Sequence, residues 1–210
     1  MGRLIGLLSV MALAAACQGQ SQASPGPSPA PTPHTTPLAA VLQSTEVPGG
    51  LFNCLASGPI DSYITTVAGA SPSVSSAASS EWAKLKAGGA TAAAMSIYAD
   101  DATACAAEVG ATSGARSATS FVAIFGDAGE ADRAWVDGVF GFTPPAVGEQ
   151  APGVTLGSGT GLGISSFTFE RTPVLLASWH RSVFVAVVVF VNLDAGPFKA
   201  ATAAVDARLN

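Results

Sequence analysis

Residues 183–193 read VFVAVVVFVNL, the most apolar run outside the first sixteen residues. Val183, Val185, Val187, Val189 and Val191 alternate with Phe184, Ala186, Val188 and Phe190, so an extended chain here is apolar on both faces. β-Branched and aromatic side chains suit a pleated surface. A strand of this kind must be covered on both sides, because one left open pairs with other chains. Val183–Leu193 is therefore expected to be the central strand, with the other elements supplying its cover. A membrane span over Val174–Leu193 is excluded by His180 and Arg181 at its middle, where charge is expensive.

The neighbouring sequence predicts an antiparallel meander ending in that strand. Ile164–Glu170 alternates, with Phe167 and Phe169 on one side and Ser166, Thr168 and Glu170 on the other. This is the pattern of a strand with one wet face. Arg171-Thr172-Pro173 makes a tight connection to Val174–Trp179, and His180-Arg181-Ser182 makes a second turn into Val183–Leu193. A last helix is expected from about Asp194, with Pro197 in its first turn and Phe198, Ala201, Val205 and Leu209 facing inward.

Upstream, Ala118–Phe125 is short, rich in β-branched and aromatic residues, and stopped by Gly126: a strand. Asp127 and Glu130 have the spacing of a capping box, opening a helix with Ala128, Ala131, Trp135 and Val139 on one face. Gly141–Gly161, with Pro144, Pro145 and Pro152, reads as a long loop beside the sheet. Ala90–Val109 lacks Gly and Pro, and its spacing predicts one long helix carrying Cys105. The alternative makes Ala93–Tyr98 a strand and begins a helix at Asp100. Ser57-Gly58-Pro59 predicts a helix start with Ile60, Tyr63, Ile64 and Val67 inward. Gly69–Ser80 reads as a loop before a short helix that buries Trp82 and Leu85 and stops at Gly88-Gly89. The expected fold class is α+β, an antiparallel sheet with a C-terminal three-strand meander, packed by about five helices.

The N-terminus carries an address. Met1–Ala16 has one charge, Arg3, then an apolar run from Leu4 that is too short to cross a bilayer. Leu13-Ala14-Ala15-Ala16-Cys17 resembles the lipobox of bacterial lipoproteins, although Leu13 stands one step earlier than that family's usual leucine. The resemblance implies a diacylglycerol on the Cys17 thiol and cleavage just before it. Ala14-x-Ala16 also satisfies an ordinary secretory cleavage site. The next segment, Gln18–Pro37, is rich in Ser, Pro, Gln and Ala, a semi-rigid tether of the kind that joins an anchor to a domain. The expected organisation is a signal peptide at 1–16, a lipidated cysteine and tether at 17–37, and one extracytoplasmic domain at 38–210.

The chain has three cysteines. With Cys17 acylated, Cys54 and Cys105 remain as a pair in an oxidising compartment, which predicts a structural disulfide. Neither lies in a C-x-x-C or zinc-ligand spacing. Charged residues make up 11% of the chain and the formal charge is −5, which loss of Arg3 takes to −6. That balance disfavours nucleic acid and anionic lipid headgroups as partners.

Motifs for chemistry are absent. His34 lies in the tether and His180 in a predicted turn, so the domain has no histidine pair, and it has no H-E-x-x-H, G-x-S-x-G or P-loop sequence. A hydrolase would have to use His180 as its base. Gly157, Gly159, Gly161 and Gly163 alternate but lead into a strand, which favours a close backbone approach over a phosphate cradle. Asp100-Asp101 is too small an oxygen set for a cation site. Trp82, Trp135 and Trp179 read as core. No cofactor and no metal is expected. The leading expectation is a lipid-anchored binding or interaction module whose partners are the membrane, through its anchor, and an envelope protein or apolar ligand. The alternative is a carrier in which Trp179, Phe184 and Phe190 face an apolar ligand under a lid formed by the long loop.

Overall fold

A computed structural model describes residues 33–112, 114–146, 148–149 and 151–209. The expected signal peptide, Cys17 and most of the expected tether lie outside them. The first element is a single helical turn, α1 (Pro37–Ala40), capped by the Thr36 hydroxyl, followed by a 3-10 turn at Ser44–Glu46. Two minimal strands, β1 (Phe52–Asn53) and β2 (Gly58–Pro59), precede the helices α2 (Ile60–Ala68) and α3 (Pro72–Ala87). Then come strands β3 (Ala90–Ala99) and β4 (Ser117–Phe125), helix α4 (Ala128–Asp137) and the short strand β5 (Val154–Leu156). Strands β6 (Ser166–Arg171), β7 (Val174–Arg181) and β8 (Phe184–Val191) and helix α5 (Ala195–Arg208) complete the chain.

All strands join one antiparallel sheet in the order β1-β3-β4-β8-β7-β6-β5, with β2 also paired to β3. The chain is α+β, as expected, and β6-β7-β8 form the meander. The strand β8 lies in the middle of the sheet and every one of its residues is buried. Val185, Val187, Val189 and Val191 pack into a core shared with α2, α3 and α4. Phe184, Ala186, Val188 and Phe190 pack into a second core on the opposite face, under α1 and α5. Phe190 meets Phe198 of α5 edge to face, with ring centroids 5.6 Å apart. Both faces of the central strand are thus closed by helices.

Three expectations are corrected. The predicted loop Gly141–Gly161 contains β5, paired to β6, and a 3-10 turn at Gly157–Thr160. Ala90–Val109 is not one helix: Ala90–Ala99 is β3, and Cys105 follows in a 3-10 turn at Ala104–Ala106. Alanine favours helix in isolation, but this segment is paired by β4 along one side and by β1 and β2 along the other. Ala93, Met95, Ile97 and Ala99 enter one core, while Ala94 and Tyr98 enter the other. Period-two burial and two ladders of hydrogen bonds outweigh propensity. The predicted loop Gly69–Ser80 is largely α3, which begins at Pro72. Its inward row is Val74, Ser75, Ala78, Trp82 and Leu85, so two small residues conceal the apolar period.

The α4 capping box is present: Asp127 accepts from the Glu130 amide at 2.8 Å, and the Asp127 amide donates to Glu130 at 3.3 Å. The Glu130 carboxylate also occupies the space that a side chain on Gly89 would need. Gly89 has φ +102°, so the α3–β3 junction demands glycine on both counts. At the chain ends, Arg208 of α5 donates to the carbonyls of Ala40 and Val41 and pairs with Glu46. The Leu42 amide donates to the buried Ser120 hydroxyl at 2.8 Å. These bonds hold the segment after the tether across one face of the sheet.

Cys54 and Cys105 form the expected disulfide, joining the β1–β2 segment to the loop after β3. It fits an oxidising, extracytoplasmic compartment. Among the described residues, no helix is long and apolar enough to cross a membrane.

Candidate functional site

Helical cover on the α5 side stops short of the last two strands. β6 keeps Phe167 and Phe169 against the α2–α4 core, but the expected wet face is corrected: Ser166 and Thr168 are buried and Glu170 is only partly exposed. Ser166, Thr168 and Glu170 pair in register with Trp179, Ala177 and Leu175, and Thr155 of β5 pairs with Thr168. Register partners share a face, so this polar row lies on the α5 side of the sheet. Lys199, Thr202, Ala203, Asp206 and Ala207 form the facing flank of α5, one row at helical spacing. The Gly-rich segment 159–162 makes the third wall. Together they enclose an open cleft of about 480 Å³, within the range of ~300–1,000 Å³ common for small-molecule sites.

The glycine run holds its wall in place by folding onto β6. A 3-10 turn at Gly157–Thr160 brings the Thr160 and Ser166 hydroxyls to 2.7 Å, and they reach the carbonyls of Gly157 (2.9 Å) and Gly163 (2.6 Å). Gly161 takes the left-handed conformation at φ +79°. The wall is also tied to the sheet by Arg181 at the end of β7, which donates to the Leu162 carbonyl at 3.3 Å.

Every charge at the cleft has a partner. Arg181 forms a two-pronged bond to Asp206, at 3.0 and 2.5 Å. Lys199 bridges from α5 to Glu170 of β6 at 3.0 Å. Two cations thus balance two anions. The exception to satisfaction is a hydroxyl. Thr202 is 4% exposed and lines the cleft, and its Oγ1 has no hydrogen-bond partner among the described residues. A buried polar group left unpaired costs about 1–3 kcal/mol, a deficit that a bound donor or acceptor would remove.

The residues singled out in the sequence lie elsewhere. Trp179, Phe184 and Phe190 are buried in the packed core beneath α1 and α5, and none of them lines the cleft. Trp82 and Trp135 belong to the opposite core, so the three tryptophans share no pocket. His180 is not in a turn: it is the penultimate residue of β7, with its side chain only 14% exposed. Its Nε2 donates to the Ser182 carbonyl at 2.6 Å and its Nδ1 faces Asp132 at 3.5 Å. Both ring nitrogens are engaged, and no described serine hydroxyl is bonded to the ring. Asp100 pairs with Arg116 at 2.8 Å, and Asp101 caps Thr103. The side-chain hydrogen bond from Arg116 holds the Asp100 carboxyl below its ordinary value, against the opposing effect of desolvation. Among the described residues, no three acidic, histidine or cysteine side chains gather as a metal site.

The sequence reading missed Thr155, Thr168, Glu170, Lys199, Thr202 and Asp206 as a group. Its one usable signal was the polar side of β6, taken there as a merely wet face. The chain matches no protein-family model, no curated protein and no solved structure.

Proposed function

We propose that this chain is a non-enzymatic binding module, displayed outside the cytoplasm on a lipid attached to Cys17, that takes a small polar molecule in the cleft between α5 and β5–β6. The observation that carries this reading is the combination of a preformed cleft and the unpartnered, buried Thr202 hydroxyl at its wall. The lipobox-like Leu13–Cys17, the tether and the Cys54–Cys105 disulfide support the location. An apolar cargo is less well supported, because Trp179, Phe184 and Phe190 are already packed against helices. A hydrolase on His180 is less supported, because among the described residues the ring is bonded to the Ser182 carbonyl and Asp132 and to no hydroxyl or thiol.

Native mass spectrometry of the chain purified from its own host tests the binding reading. A retained small-molecule mass that is lost in Thr202→Val supports it; a bare polypeptide mass counts against it. Metabolic labelling with a fatty acid tests the anchor. Label is expected on the wild type and not on Cys17→Ser, and equal labelling of the two would remove the anchor.

A further inference from the structure

We infer that the cleft takes a neutral polyhydroxylated molecule, a mono- or disaccharide unit. The inference rests on the cleft being the binding site, and it follows from what the walls offer and what they withhold. An anionic ligand would need a free cation or a helix N-terminus. Lys199 is paired with Glu170 and Arg181 with Asp206, and α5 presents its middle and last turns, Lys199–Ala207, rather than its first. A cationic ligand would meet carboxylates that are already neutralised. An apolar ligand would strip water from Thr155 and Thr168 and leave their hydroxyls unpaired, at about 1–3 kcal/mol each, and would do nothing for Thr202.

A polyol meets all of these groups without leaving a charge. Its hydroxyls can donate to Glu170, whose second carboxylate oxygen lies beside the Lys199 bridge. Hydroxyls of the ligand exchange bonds with those of Thr155, Thr168 and Thr202. Ala203 and Ala207 are exposed and supply apolar surface among the polar groups, matching the C–H faces of a sugar ring.

Saturation-transfer NMR on the full chain tests this with glucose, galactose, arabinose, N-acetylglucosamine and maltose as probes. Dialanine and hexanoate serve as a peptide and an apolar control, and phosphate is followed by its own resonance. At least one sugar is expected to show transfer. Thr202→Val and Glu170→Gln should each weaken binding about tenfold, the effect of one hydrogen bond. Thr202→Ser should restore it, and Ser79→Ala on the outer side of α3 should change nothing. Circular dichroism melts establish that each variant is folded. Absence of transfer to every sugar, or transfer that Thr202→Val and Glu170→Gln leave intact, overturns the polyol assignment. Dialanine, hexanoate or phosphate bound in a Thr202-dependent way also overturns it but leaves the binding module standing. Silence from every probe, with a bare mass from the host-purified chain, removes both.

Discussion

Strands β8 and β6 belong to one meander, two positions apart in the sheet, and they meet opposite fates. β8 is apolar on both faces and is sealed between α2–α4 on one side and α1 with α5 on the other. β6 is apolar only through Phe167 and Phe169; its other face carries Ser166, Thr168 and Glu170, and no helix lies on it directly. The contrast shows how one sheet yields both a core and a site. Where both faces are apolar, the chain must bring helices, and stability concentrates there. Where one face is polar, cover comes from the glycine segment and the flank of the last helix instead of a packed helix, and a cleft remains between them.

The largest expected effect comes from breaking the β8 side. Phe190→Ala removes a fully buried ring from its contact with Phe198 and should lower stability by about 3–5 kcal/mol in urea denaturation. A change below about 1 kcal/mol would mean that this face is not the tightly packed core described. At the far edge of the same sheet, β1 and β2 are only two residues long and are held covalently. Removing the disulfide with Cys54→Ala and Cys105→Ala together should cost about 2–4 kcal/mol, given the 51-residue separation it closes. Equal melting of the oxidised wild type and the double variant would refute that role.

The α1–α5 cover over β8 carries a pH dependence. Burial pushes the Glu46 carboxyl up, but the Arg208 hydrogen bond, the Gln43 amide and the Arg208 charge together outweigh it and hold Glu46 below its ordinary 4.5. A carboxyl depressed in the folded state contributes stability that is present above the unfolded value and lost as pH falls through the folded one. Stability should therefore hold above pH 4.5 and decline below it. In Arg208→Ala that part of the acid slope should flatten, measured by denaturation at stepped pH. An unchanged slope would rule out the Glu46–Arg208 pair as its source.

The smallest effects belong to β6 and its facing helix. Thr168→Val should shift stability by no more than about 1 kcal/mol, since the hydroxyl faces the cleft rather than a core. Thr202→Val should be neutral or slightly stabilising, because it removes a buried hydroxyl that has no partner. Thermal melts check both. A large loss in either would turn the polar wall of the cleft into a structural feature of the core.

Much of the architecture was legible in the residues. Val183–Leu193 announced a doubly buried strand, Asp127 and Glu130 a capped helix, and Asp194–Pro197 the start of the last one. Cysteine number pointed to the Cys54–Cys105 bond. The helix start at Ser57-Gly58-Pro59 was close to the observed Ile60. The Ala-rich segment 90–99 misled because alanine fits either helix or a buried strand, and only its neighbours distinguish the two. The serine-rich start of α3 misled because its inward face is built from small residues. The cleft escaped notice for a different reason. Thr155, Thr168 and Glu170 come from two strands, Thr202 and Asp206 from a helix about 30 residues later, and no spacing along the chain links them.

What the sequence by itself determined is the pattern of faces: which strands are apolar on both sides, which strand is polar on one, and which helices have an apolar side to offer. Local side-chain chemistry suffices for that, because alternation and helical periodicity are properties of a few consecutive residues. What only the tertiary structure decided is where cover ends. The position of α5 over β7 and β8, with Arg208 fastened to Ala40, Val41 and Glu46 and Arg181 to Asp206, leaves a cleft beside the polar face of β6. Those bonds join residues far apart in the chain, and the cleft exists only once they form.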